Sequence, residues 1–434
     1  MKLQLKSLLK PGRRSRPTHH SPLITRHFPF RSLLYKGWLL GLLAIMLAGG
    51  VAAVAVFSQG LVVTNLTDLV PWGLWISIDL SAIALSAGAF LLSAAVYLLR
   101  IKPLQPVART AVFIGLIGYS MAVMTLLLDI GRPDRFWHAL VYWNPHSPLW
   151  EVTICVTLYF VVLLLEVAAI FGQAEWMQRR WPRLARRLES THHFAPILAV
   201  VGLGLSMMHQ SSLGATYGVL KARPVWYRPN LAVLFIVSAM AAGPAMTLLA
   251  SQVAARLTSR AIVRQELLDK VARFIGWTLL AYLYLRFWDG LSNSYTYEPA
   301  RSEGWGLLTQ GPLSYSFWLG EIVLGTVVPA VILLNGRLRR QPRLNLLALF
   351  LIVAGVAAYR WNTNLVGQLV VYNYWPHEIV PLYTSYVPSL IEVLSGAGVI
   401  AYGLLAFTLG VRYLNVVNHS REVERFSTIV LLQA

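Results

Sequence analysis

Long apolar stretches, each bounded by a short polar or basic segment, recur along almost the whole chain. The first runs from Trp38 to Phe57. Nine more follow, near 72–99, 108–130, 148–172, 194–220, 231–255, 271–292, 314–334, 344–359 and 386–411. Their lengths suit helices that cross a hydrocarbon layer, and none alternates as a strand would. The pattern predicts an all-α polytopic membrane protein with ten transmembrane helices. The run at 344–359 is the weakest, being short and ended by Tyr359-Arg360-Trp361. The opening run is longer than the apolar part of a cleaved signal and reads as a retained anchor. The chain then divides into a basic tail over 1–37, a membrane domain over 38–412 and a C-terminal tail over 413–434.

Composition agrees. Of 434 residues, 56% are hydrophobic and 13% charged, against roughly a quarter charged in a soluble domain. A net charge of +19 raises the question of nucleic acid, and the placement of the charge answers it. Twenty-nine of the 37 lysines and arginines fall in the two tails and in alternate loops, and seven in the opposite loops. That bias places both termini in the cytoplasm of a bacterial inner membrane. The one cysteine, Cys155, excludes an internal disulfide and a cysteine-held cluster. Fifteen tryptophans and nineteen tyrosines suit interfacial belts.

Ionisable groups inside the apolar runs are the candidate chemistry, because each is expensive in lipid. With orientation set and a rise of 1.5 Å per residue, Asp79, Asp129, Glu151, His209, Arg286, Asp289, Glu321 and Glu392 all fall in the outer half. Glu166 lies about 22 Å further in than Glu151. In Ser206-Met207-Met208-His209-Gln210-Ser211-Ser212, His209 shares a helical face with Ser206 and Ser212. That face points into a bundle or a ligand cavity, although interhelical hydrogen bonding alone accounts for the serines. Asp129 with Arg132, and Arg286 with Asp289, are natural ion pairs. Asp79, Glu151 and Glu392 have no cation beside them in sequence and are candidates for proton transfer. Glu166 either continues a proton path inward or pairs with a basic residue near the cytoplasmic face. One intramembrane histidine does not provide two axial haem ligands. No phosphate-binding glycine loop and no metal-ligand spacing is present.

Four stretches carry a more specific signature: Pro71-Trp72-Gly73-Leu74-Trp75-Ile76-Ser77-Ile78-Asp79, Asp129-Ile130-Gly131-Arg132, Glu151-Val152-Thr153-Ile154-Cys155 running to Leu165-Glu166, and Met208-His209-Gln210-Ser211-Ser212-Leu213-Gly214. Together they resemble the NrfD/PsrC family of quinone-interacting membrane subunits, in its hydrogenase-type (HybB-like) branch. Leu285-Arg286-Phe287, Phe317-Trp318 followed by Glu321, and Tyr359-Arg360 agree with this. The resemblance implies two four-helix bundles, about 72–220 and 231–359, with the first and tenth helices flanking them. It implies a subunit without its own redox centre, exchanging electrons and protons with menaquinone or ubiquinone. A ferredoxin-like iron–sulfur subunit and a catalytic subunit would sit on the outer face, near loops such as 131–147 and 293–313. By position it implicates His209, Asp79, Gln210 and Ser212 in quinone binding, with Trp72 and Trp75 as ring neighbours or, equally, as interfacial belt residues. Glu151, Glu166, Asp129 and Glu392 would carry protons. A proton-coupled secondary transporter is the competing class, since intramembrane charges and helix breakers such as Gly243-Pro244 occur there too.

Overall fold

The computed structural model describes residues 32–258, 265–295, 297–414 and 416–417. The arginines at 13, 14 and 16 and most of the C-terminal tail lie outside the described residues. Ten long helices organise the chain: α1 Ser32–Gln59, α2 Leu74–Tyr97, α3 Gln105–Asp129, α4 Pro148–Gly172, α5 Ala195–Gly218, α6 Asn230–Thr258, α7 Gln265–Ser294, α8 Ser316–Leu334, α9 Pro342–Leu369 and α10 Leu390–Tyr413. Among the described residues, nine of them are long and apolar enough to span a membrane. The count of ten expected from sequence therefore stands at nine by that measure. The exception is α7, which forms as a helix of 30 residues but carries Glu266, Asp269, Lys270, Arg273, Arg286 and Asp289.

Helices α2 to α5 pack on one another in a closed ring, and α6 to α9 do the same. Helix α6 joins the rings by lying against α2 and α5, and α9 also touches α2. Helices α1 and α10 form a separate pair against α2 and α3. The bundles meet where Gly88 of α2 faces Gly243 of α6. A Cβ on Gly243 would lie 2.0 Å from the Gly88 nitrogen, and one on Gly88 would lie 2.4 Å from the Gly243 oxygen. Only two glycines permit that backbone approach, a device common between helices in lipid. Gly49 and Gly398 play the same part between α1 and α10.

Two sequence expectations change. The weak segment at 344–359 lies in the first two-thirds of a helix of 28 residues. Its second half looked like a loop because it holds Arg360, Asn362, Thr363, Asn364 and Gln368. All five are buried, and the side chains of Arg360, Asn362, Asn364 and Gln368 bond to other segments of the chain, so their polarity does not end the helix. Strand structure, not expected at all, follows directly. Strands β1 Val370–Trp375 and β2 Glu378–Tyr383 form an antiparallel hairpin in which Val370 pairs with Tyr383 and Trp375 with Glu378. Helix α10 then opens on a capping box. The Ser389 hydroxyl accepts from the Glu392 amide, and the Glu392 carboxylate accepts from the Ser389 amide at 2.8 Å.

Because the joint between bundles has no room for a side chain, Gly243→Leu should lower stability by about 3 kcal/mol or more. Gly204→Ala, where a Cβ meets nothing within 4 Å, should leave it unchanged. Thermal unfolding of both variants in detergent, followed by intrinsic fluorescence, checks the contrast.

Candidate functional site

A cavity of about 610 Å³ opens in the first bundle, at the end away from the basic loops. Trp72, Ile76 and Asp79 of the α2 segment line it, with Leu126 and Asp129 of α3, Val152 of α4, and Leu213 and Tyr217 of α5. Most of the wall is hydrocarbon. Against it stand three carboxyl groups: Asp68 is exposed, while Asp79 and Asp129 each have an oxygen with no hydrogen-bond partner among the described residues. Asp79 is 3% exposed. An unpaired buried carboxyl at a cavity wall is unusual and points to a group that meets a ligand or a proton.

The aromatic side of the cavity is held from the second bundle. Trp72 precedes α2, and its ring stacks on Trp226 at 5.9 Å and meets Tyr217 edge-on at 5.3 Å. Its amide donates to Gln368 Oε1 at 3.0 Å, and its carbonyl accepts from Gln368 Nε2 at 2.7 Å and Asn364 Nδ2 at 2.9 Å. Tyr217 donates its hydroxyl to Asn364 Oδ1 at 2.9 Å. Asn364 and Gln368 are one turn apart on α9, so one helix face fixes both rings. Sequence reading missed both residues, because they lie in the stretch taken for a loop.

The residues expected to share one site divide between several neighbours. His209 is fully enclosed, and its Nδ1 meets the Tyr119 hydroxyl at 2.7 Å while its Nε2 has no partner among the described residues. It does not line the cavity. Gln210 donates to the Ile83 carbonyl of α2 at 3.1 Å. Ser212 donates to Glu151 Oε1 on α4 at 2.7 Å, so Glu151 is half-buried with a neutral partner. Trp75 is not a cavity residue. It is 1% exposed, and its indole donates to Ser395 Oγ at 2.9 Å, tying α2 to α10. Only two residues separate Trp72 from Trp75, but Gly73 lies between them before the helix begins, and the two rings meet different neighbours.

Glu392, expected as an unpaired acid, is engaged on all sides. It accepts from the Ser389 amide, the Asn65 amide at 3.1 Å and the Tyr386 hydroxyl, which places it in the cap of α10. The expected pair of Asp129 with Arg132 does not form. Gly131 has a φ of +67°, and this left-handed turn carries Arg132 into the loop, where it grips Asp134 at 3.0 Å. Through that hydrogen bond Arg132 holds the exposed Asp134 carboxyl below its ordinary range. Glu166 lies in a separate small cavity of about 90 Å³ at the basic end, lined also by Arg109 and His192.

The second bundle treats its charges differently. Arg286 binds Asp289 at 2.5 Å and Glu321 Oε1 at 2.9 Å. Arg228 reaches Asp289 at 3.1 Å, and Tyr282 and Asn362 donate to Glu321 at 2.8 and 2.9 Å. Two cations face two anions, and the set is nearly closed. Glu321 sits on a π-helical stretch, Ser316–Val327, whose wider turn packs Gly325 against Gly355. Between the bundles stands Arg360, fully buried, with its guanidinium 3.7 Å from the centre of the Phe235 ring and donating to the Phe235 carbonyl and Ser238 at 3.1 Å. Among the described residues it has no carboxylate partner. Nor do histidine, cysteine and acid side chains among the described residues gather into a set that could hold a metal ion.

The family model described as "Polysulphide reductase, NrfD" matches residues 62–372, well over half of the chain. The chain belongs to the NrfD family. It is a multi-pass integral membrane protein, and the NrfD match covers the helices α2 to α9 while leaving out the α1–α10 pair. Among similar proteins is the "Menaquinone reductase, integral membrane subunit" of Nitratidesulfovibrio vulgaris, 32% identical over 383 residues, or 86% of this chain and 90% of that one. The "Probable Ni/Fe-hydrogenase 2 b-type cytochrome subunit" of Escherichia coli is 26% identical, covering 82% of this chain and 85% of its own. The "Hdr-like menaquinol oxidoreductase integral membrane subunit" of Archaeoglobus fulgidus is also 26% identical, covering 88% of this chain and 93% of its own.

The contrast between the two arginine pairs is measurable. Arg286→Gln leaves two buried acids short of a partner and should cost about 3–5 kcal/mol. Arg132→Gln removes an exposed pair and should change stability by less than about 1 kcal/mol. Unfolding midpoints of the two purified variants test both values.

Proposed function

We propose that this chain is the membrane subunit of a multisubunit respiratory oxidoreductase and exchanges electrons and protons with the quinone pool. The observation that carries the reading is the cavity between α2 and α5, apolar on most of its wall, closed on one side by Trp72 and Tyr217 and bearing the unpaired Asp79 and Asp129. A flat, apolar ring with two carbonyl oxygens fits such a wall. Family membership and the names of the similar proteins support a quinone as the ligand, menaquinone or ubiquinone.

In this reading the headgroup enters from the bilayer and packs against Trp72. Reduction of a quinone to a quinol takes two electrons and two protons. Asp79 exchanges one proton at the nearer carbonyl oxygen. His209, with Nε2 open, is the second proton group, and Tyr119 holds its ring. Glu151, bonded to Ser212, and Asp129 form the route between the site and the face where the cavity opens. Glu166, in its own cavity at the basic end, serves exchange with the other side. Glu392 is left out of this route, since its oxygens cap α10. The excess of basic residues in the tails and alternate loops supports termini in the cytoplasm of a bacterial inner membrane. The site end then faces outward, toward a ferredoxin-like iron–sulfur subunit that links the quinone to a catalytic subunit. The hairpin of β1 and β2 and the 131–147 loop belong to that face.

Asp79→Asn and His209→Ala, in complexes assembled normally, should each lower quinone-dependent turnover about 100-fold, the usual contribution of a positioned proton group. Glu392→Gln should act on thermal stability more than on turnover. Turnover with a soluble quinone analogue, measured beside subunit composition, decides the matter. Full activity in Asp79→Asn and His209→Ala would remove these residues from the mechanism. Substrate-driven flux by the isolated chain in liposomes would instead favour a transporter.

A further inference from the structure

At the basic end of the molecule a cleft of about 690 Å³ separates α6 from the α1–α10 pair. Its walls include Tyr35 and Trp38 of α1, Val253 and Leu257 of α6, and Leu404 and Phe407 of α10. Nearly all of this surface is hydrocarbon. The Trp38 indole donates to Thr408 Oγ1 at 3.3 Å, and the Thr258 hydroxyl to the Ala254 carbonyl at 2.7 Å. An apolar cleft among membrane-spanning helices does not hold water, which would lack partners there. The abundant material that fills such a space is an acyl chain.

Three basic residues stand next to wall residues of the cleft. Lys36 is exposed beside Tyr35. Arg412 lies one turn beyond Thr408 on α10, with its guanidinium 4.8 Å from the centre of the Tyr35 ring. Arg256 lies between the wall residues Ala254 and Leu257 and donates to the Pro342 carbonyl at 3.0 Å. Basic groups above an apolar slot match a phosphate above its acyl chains. We propose that this cleft is a binding site for one anionic phospholipid, whose acyl chain lies along α6 and whose phosphate is held by Lys36 and Arg412. The site is made by the flanking helix pair, outside residues 62–372 that the family model matches, and it does not depend on the quinone reading. Its consequence is mechanical: a lipid wedged there joins α1 and α10 to the second bundle.

The test counts phospholipid on the assembled protein after extensive washing in mild detergent, by extraction and mass spectrometry. The wild-type chain should retain about one anionic phospholipid, enriched over the zwitterionic lipids of the same membrane. The double variant K36Q/R412Q should hold it roughly 30-fold more weakly, as expected for the loss of two interfacial cations. Leu404→Trp, which fills the slot and keeps both charges, should also lose it. A chain shortened by residues 1–31 should retain the lipid as the full chain does. The proposal is overturned if the wild-type lipid matches the bulk membrane in composition, or if both variants keep as much as the wild type. It is equally overturned if the shortened chain gains a lipid that the full chain lacks, since residues 1–31 would then occupy the cleft.

Discussion

A polar group held in hydrocarbon must find its partner inside the protein, and the architecture here follows from where each group finds one. Backbone groups are satisfied within helices. Side-chain groups are satisfied between them, and the densest such joint is the inner face of α9. From it Asn364 and Gln368 clasp the backbone of Trp72, Asn362 reaches Glu321, and Arg360 spans to α6. One helix thereby sets the position of the first bundle's aromatic wall and also completes the second bundle's ion network. The glycine contact of α2 with α6 brings the bundles close enough for those short side chains to reach.

The two bundles then differ in a way that has chemical meaning. In the second, Arg228 and Arg286 face Asp289 and Glu321, with Tyr282, Asn230 and Asn362 supplying the remaining bonds. Such a network has little reason to release a proton and locks the helices together. In the first, Asp79 and Asp129 border a cavity, with no cation bonded to them among the described residues. The asymmetry explains why the proposed chemistry lies in the first bundle although the second carries more charge.

Much of this was legible from the chain. Apolar run lengths gave the helices, the motifs around Trp72, Asp129, Glu151 and His209 gave the family, and Arg286 and Asp289 stood three residues apart on one helix face. What misled was local sequence taken as a guide to local partners. Asp129 and Arg132 are neighbours in sequence, yet the turn at Gly131 sends Arg132 to Asp134. Trp75 resembles Trp72 in its motif and faces another helix. Glu392 has no cation beside it, and its partners are the hydroxyl and amides that surround the start of α10.

The sequence by itself determined the membrane setting, the order of the long helices, the sided distribution of basic residues and the family. These depend on composition and spacing along one segment at a time, which hydrocarbon reads without reference to other segments. Tertiary structure alone decided which acids stay unpaired, which tryptophan meets the cavity, and that His209 does not line it. Those facts depend on which helix faces which. A turn of about 100° per residue sends adjacent side chains to different neighbours, and the packing of distant segments chooses them.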